Sequence, residues 1–169
     1  MSSFRVVYDH ALTLFADVSW ANRYRVRRLW LISPWIKGDE GKYDFVSQLG
    51  EVSKIAQAGT FVLTRPSKEA WHKNALRVLG AAGRTIVLHN DRLHTKLYLL
   101  ECDGFRYAML GSPNLTTRGD RGNVELAMEF RTTMSTSHDN VALVLNDLVQ
   151  YAGDLCNDPD AALVNAADL

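Results

Sequence analysis

The stretch RLHTKLYLLECDGFRYAMLGSPNLT runs from Arg92 to Thr116. At its centre, Cys102-Asp103-Gly104-Phe105 places Asp-Gly between two apolar runs, the two-residue signal for a tight hairpin. Counting outward from that tip pairs Glu101 with Arg106, Lys96 with Gly111 and His94 with Pro113. A slip of one residue would bring Ser112 beside His94 instead. In either register His94, Lys96, Ser112 and Asn114 gather at the open end of the hairpin. Period-two alternation also sends His94 and Lys96 to one face. An apolar strand has no structural need for that pair, so the spacing predicts a site built from two segments.

Outward from the hairpin, the chain alternates. RRLWLISPWI (27–36) is an apolar strand ended by Ser-Pro, and YDFVSQLGEVSKIAQAG (43–59) has helical periodicity with a glycine stop. TFVLTRP (60–66) is a short strand, and SKEAWHKNALRVLGAAG (67–83) is a helix opened by a Ser67 cap. RTIVLHN (84–90) is a further strand, NVELAMEFRT (123–132) another, and SHDNVALVLNDLVQYAGDL (137–155) a helix capped by Ser137. Strand-helix-strand-helix-strand before the hairpin predicts a largely parallel sheet covered by helices. Phe4, Val7, Ala11, Leu14, Phe15 and Val18 recur at helical spacing, which predicts a helix over the first twenty residues or so, within an N-terminal region 1–26. CNDPDAALVNAADL (156–169) reads as a loose tail, with one domain over 1–156.

The chain has 169 residues, 47% hydrophobic and 22% charged, with formal net charge zero. That length suits one domain with a real core. Zero net charge argues against a globally basic nucleic-acid binder but allows a local patch. Cys102 and Cys156 lack metal or disulfide-framework spacing, which predicts free thiols in a reducing compartment. Asp9 and His10 interrupt the first apolar stretch, a poor signal peptide, and no run reaches the length of a membrane span. These features predict a cytoplasmic protein without membrane attachment.

The clustered groups suit phosphoryl chemistry. Neutral imidazole is a nucleophile, and its conjugate acid can protonate a leaving oxygen. Lys96 offers a compact positive charge to phosphate oxygens, and Asn114 and Ser112 add donors. A carboxylate on the far ring nitrogen would fix the tautomer of His94. Glu125 is the candidate and Glu129, on the same strand face, the competitor. Lys96 argues against a metal site at His94, because it would repel the ion. Trp35 either walls the site, stacks a base or belongs to the core. Arg118 and Arg121 either reach flanking phosphates or sit in a solvated loop. The four arginines in NRYRVRR (22–28) read as a solvated helix end or as a backbone track.

His94-Thr95-Lys96 followed by Gly111-Ser112-Pro113-Asn114 resembles the H-x-K, G-S-x-N signature of the phospholipase D superfamily. Ser33-Pro34-Trp35 resembles its S-P-aromatic loop, and Asn123-x-Glu125 its downstream acidic position. The resemblance covers about Trp30 to Arg131. One position departs: Glu101 stands where the family pattern has Asp, near the hairpin tip and away from the chemistry.

The resemblance implies an α/β/α sandwich with a mixed, mostly parallel sheet. It also implies metal-independent hydrolysis through a phosphohistidine, with no cofactor. A second histidine, from a second motif copy, protonates the leaving group in that scheme. This chain carries one copy, and His10, His72, His89 and His138 lack the pattern. A homodimer with two His94 rings across a two-fold axis is therefore implied. The expected catalytic residues are His94, Lys96, Asn114, Ser112 and Glu125, and the expected substrate-binding residues are Lys96, Asn114, Trp35, Arg118 and Arg121. The favoured substrate is nucleic acid. The alternatives are a phospholipase or phosphatidyltransferase, and a non-catalytic or partner-activated subunit of a restriction or phage-defence assembly.

Overall fold

The computed structural model of the chain describes residues 2–38, 44–81, 83–116, 125–133, 139–165 and 169. In order, the elements are β1 (Ser3–Val7), α1 (Ala11–Ala21), a 3-10 turn at Arg23–Arg25, β2 (Val26–Ile32), α2 (Phe45–Ile55), β3 (Thr60–Thr64), α3 (Ala70–Gly80), β4 (Thr85–His89), β5 (Leu97–Cys102), β6 (Phe105–Gly111), β7 (Ala127–Thr133), α4 (Asn140–Cys156) and β8 (Ala162–Leu163).

The strands form one sheet in the order β1-β7-β6-β5-β2-β3-β4-β8. β2, β3 and β4 run parallel to one another, as their helical crossovers require. Every other pairing is antiparallel. The sheet is therefore mixed but mostly antiparallel, which corrects the expectation of a mostly parallel one. Alternation with helices describes only the three central strands. The hairpin reverses direction, and two further edge strands, at the chain ends, add antiparallel pairs.

Those edges also correct the reading of the termini. Ser3–Val7 is a strand on β7, with Phe4 opposite Phe130 and Val6 opposite Met128. Phe4 and Val6 alternate with Arg5, a strand pattern that helical counting over twenty residues obscured. The helix begins only at Ala11, after His10 takes a left-handed conformation with φ 57°, which breaks the run. The tail expected to be loose carries β8, where Ala162 pairs with His89 and Leu163 with Leu88.

Adjacent residues of each central strand serve two cores. Leu29, Leu31, Tyr98 and Leu100 face a core shared with Leu12 and Phe15 of α1, Val46 and Leu49 of α2, and Leu76 and Leu79 of α3. Trp30, Ile32, Leu97 and Leu99 face the opposite core, with Leu145 and Ala152 of α4. Continuous apolar strands buried on both faces give the α/β/α sandwich.

The helix starts differ from the sequence reading. α3 begins at Ala70 rather than after Ser67, whose hydroxyl instead accepts the Glu69 amide at 3.1 Å. α4 is capped by Asp139, which accepts the Val141 amide at 2.8 Å; Ser137 lies outside the described residues. Both cysteines are free thiols, Cys102 being buried.

The hairpin has the first register read from its tip. Cys102 pairs with Phe105, Glu101 with Arg106 and Leu97 with Leu110, around Gly104 at φ 74°. Glu101 is used structurally at this end. It accepts from the Trp30 indole at 3.2 Å and lies 3.8 Å from Arg28 and 3.7 Å from Arg106. The arginine run is committed here too. Arg25 donates to the Asp103 carbonyl at 2.5 Å, and Arg27 lies 3.8 Å from the Asp103 carboxylate.

Candidate active site at one edge of the sheet

The opposite edge collects the polar groups. β2, β3 and β4 end there, β5 starts there and β6 ends there, because Ile32 pairs with Leu97 and Leu97 with Leu110. The carboxyl ends of parallel strands leave loops free to carry function.

His94 lies in the connection between β4 and β5, not in the strand, which starts at Leu97. That connection is anchored at several points. Asn90 donates its amide to the Thr64 carbonyl at 2.9 Å, and its side chain accepts the Arg92 amide at 2.9 Å, a local turn typical of Asn. Leu93 is buried. The Thr95 hydroxyl meets the Tyr151 hydroxyl of α4 at 2.9 Å. Between these anchors the His94 side chain is exposed and Lys96 half-buried.

The second segment is joined to the first directly. The Gly111 amide donates to the Lys96 carbonyl at 3.2 Å, extending the hairpin register by one residue. Gly111 is required by space. A Cβ there would lie 2.2 Å from the Leu126 carbonyl oxygen and 2.6 Å from the Ala127 Cα. The chain then turns toward β7, with the Ser112 amide donating to the Leu126 carbonyl at 2.9 Å and the Leu126 amide returning to the Ser112 hydroxyl at 3.0 Å. That hydroxyl also donates to the Glu125 carboxylate. Glu125, expected beside His94, is thus held on Ser112. Glu129, the competitor, is buried and paired with Arg5 of β1.

A third segment, Ser33-Pro34-Trp35, is clamped to the second. The buried Ser33 hydroxyl donates to the Trp35 carbonyl at 2.8 Å and accepts the Leu115 amide at 3.0 Å. Lys37 donates its amide to the Leu115 carbonyl at 2.8 Å. From below, the buried Tyr98 hydroxyl donates to the Pro113 carbonyl at 2.7 Å, and burial raises its pKa well above the usual phenol range.

His72 fixes the same loop from α3. Its Nδ1 lies 3.2 Å from the Ile36 amide and its Nε2 3.4 Å from the Thr64 hydroxyl. Thr64 donates to the Pro34 carbonyl at 3.1 Å, and the His72 Nδ1 also lies 3.1 Å from the Ile36 carbonyl oxygen. Burial holds this imidazole's pKa below the ordinary value, and His89 is lowered for the same leading reason.

Asn114 and Trp35 share a cleft of about 730 Å³, which Lys37, Lys68, Glu69 and Trp71 also line. The Asn114 Oδ1 is buried without a hydrogen-bond partner among the described residues, a costly state for a carbonyl. Arg118 and Arg121 lie outside the described residues. Among the described residues, no three His, Cys, Asp or Glu side chains converge as metal ligands would.

The sequence reading took Ser33 only as part of a loop motif, and missed Tyr98, His72 and Trp71. Tyr98 was detectable: it stands two residues after Lys96 with leucine on either side, so alternation places it on the same face. His72 and Trp71 had no local signal, because their contacts come from another loop.

No family model and no curated protein matches the chain. Solved structures do. Nuc from Salmonella typhimurium, a phospholipase D family member, is similar at TM-score 0.70 and 10% identity, over 98% of this chain and 99% of its own. NucT from Helicobacter pylori is similar at TM-score 0.64 and 9% identity, over 97% and 100% respectively. Polyphosphate kinase from Porphyromonas gingivalis is similar at TM-score 0.62 and 11% identity, over 96% of this chain but only 24% of the kinase. The chain shares its fold with Nuc and NucT almost end to end, and at their size.

Proposed function

We propose that this chain hydrolyses phosphodiesters, with nucleic acid as substrate, as a homodimer whose two His94 rings serve one phosphorus. The observation that carries this is the bond from the Gly111 amide to the Lys96 carbonyl. It joins the His94-x-Lys96 segment to Gly111-Ser112-x-Asn114 at one sheet edge, within a fold shared with a phospholipase D family member.

In the first step one neutral His94 forms an N–P bond as the P–O bond to the leaving nucleoside breaks. The partner copy's imidazolium gives that oxygen its proton. Water then attacks phosphorus, its proton passes to the same, now neutral, partner imidazole, and the N–P bond breaks. The first ring is released neutral and the second is recharged. Lys96 and the Asn114 amide hold the non-bridging oxygens, where negative charge grows. Ser112 and Glu125 are positioning residues: their bond fixes where the chain leaves β6.

The dimer is supported by the single motif and by an uncovered apolar surface. Phe4 is 63% exposed, Val6 44%, Tyr8 68%, Leu126 49% and Met128 37%. Ser112 bonds directly to Leu126, so this surface starts at the site, where a two-fold partner would bring its own His94. Among the described residues no helix is long and apolar enough to cross a membrane.

The test incubates purified protein with DNA, RNA and phosphatidylcholine in EDTA. Cleavage of nucleic acid by the unmodified chain, lost in His94→Ala, is expected. Choline release, or inactivity on every substrate, would contradict the proposal.

A further inference from the structure

We infer that the cleft between Trp35 and Trp71 seats one unpaired nucleobase, so that the substrate strand enters single-stranded. This rests on the proposed phosphodiesterase reading for its backbone contacts. Its own basis is the cleft.

Trp35 follows β2 and Trp71 lies in the first turn of α3, so two separate elements converge. The ring centroids stand 6.4 Å apart with planes inclined by 57°, a tilted V that is an aromatic pair in itself rather than a sandwich with a slot between the rings. A planar base stacks on a ring face that lines the cleft, with the other ring beside it. His72, buried and bonded to the Ile36 amide, packs edge-on against both tryptophans at 6.1 Å and 5.6 Å. The V is therefore held before any ligand arrives. Its volume of about 730 Å³ exceeds the needs of one base.

The chemistry around the V selects a nucleotide over a simple apolar ligand. Lys37 Nζ stands 6.0 Å from the Trp71 ring centroid, and Lys68 lines the same cleft. Glu69 lines it too, which offsets one of the two lysine charges. Asn114 is part of the same lining, so a base in the V has its own phosphate within the same cleft as the group proposed to hold the scissile one. A paired base cannot enter, because its neighbours in the stack cover both faces.

The test measures binding, which needs no hydrolysis and so stands apart from the chemistry at His94. In the His94→Ala chain, anisotropy is read with a labelled single-stranded oligonucleotide. The comparisons are the same backbone carrying abasic sites and the same sequence as a duplex. The intact single strand is expected to bind about tenfold more tightly than either. Trp71→Ala should erase the difference from the abasic strand, and Trp71→Phe should keep most of it. Equal binding of abasic and intact strands, preference for the duplex, or a folded Trp71→Ala chain that keeps the difference would each overturn the inference. The abasic comparison decides the matter even where Trp71→Ala does not fold.

Discussion

The Ser33 hydroxyl accepts the Leu115 amide at 3.0 Å while donating to the Trp35 carbonyl at 2.8 Å. One buried oxygen thus ties the loop after β2 to the segment carrying Asn114. In Ser33→Ala the Leu115 amide is buried without a partner, a loss of about 1–3 kcal/mol. Urea denaturation should show that loss, and hydrolysis should fall further than stability explains, because the Lys37 amide's bond to the Leu115 carbonyl is left to hold the Asn114 segment to the Trp35 loop.

Gly111 has no room for a side chain. Its added Cβ would meet backbone of Leu126 and Ala127 rather than a movable side chain. Gly111→Ala should therefore cost about 1–3 kcal/mol and separate the Lys96 and Asn114 segments. The midpoint of thermal unfolding checks the first effect and the rate of hydrolysis the second.

Lys96 and Asn114 act on charge that grows in the transition state. Lys96→Ala and Asn114→Ala should each lower kcat by about 10²–10³-fold with little change in unfolding midpoint. Steady-state kinetics on a defined oligonucleotide separates this from a simple loss of binding, which would raise KM alone.

His72 makes stability depend on pH. In the fold its pKa is depressed by burial, while unfolded it titrates near about 6.5. Below that value the unfolded chain binds a proton that the folded chain refuses, so stability falls as pH falls through about 6.5 toward the depressed value, and is retained above it. His89, also lowered, adds the same sign. Denaturation midpoints from pH 7.5 downward should decline, and His72→Gln should flatten the decline by at most about 1.4 kcal/mol per pH unit.

The hairpin and its polar end were legible because Asp-Gly fixes a register and period two fixes a face. From that register Lys96 had to meet Gly111. The sheet's direction was not legible, since it turns on β5 pairing antiparallel with β2, a long-range choice that no local pattern declares, and then on Ser3–Val7 and Ala162–Leu163, which are too short or too ambiguous to declare themselves as strands. Glu125 was assigned to His94 by chemistry and by the resemblance; its bond to Ser112 had no local signal and follows from the path between Gly111 and Ala127. The Trp35–Trp71 cleft needed the tertiary meeting of two loops, which no local pattern encodes.

Whether two His94 rings serve one phosphorus is tested most directly by subunit mixing. Unmodified chain and His94→Ala chain are unfolded together, refolded at a series of ratios, and assayed on oligonucleotide. With one composite site per dimer, mixed dimers are inactive, and activity falls as the square of the unmodified fraction. A linear fall would mean that each chain hydrolyses its substrate alone, and would contradict the account.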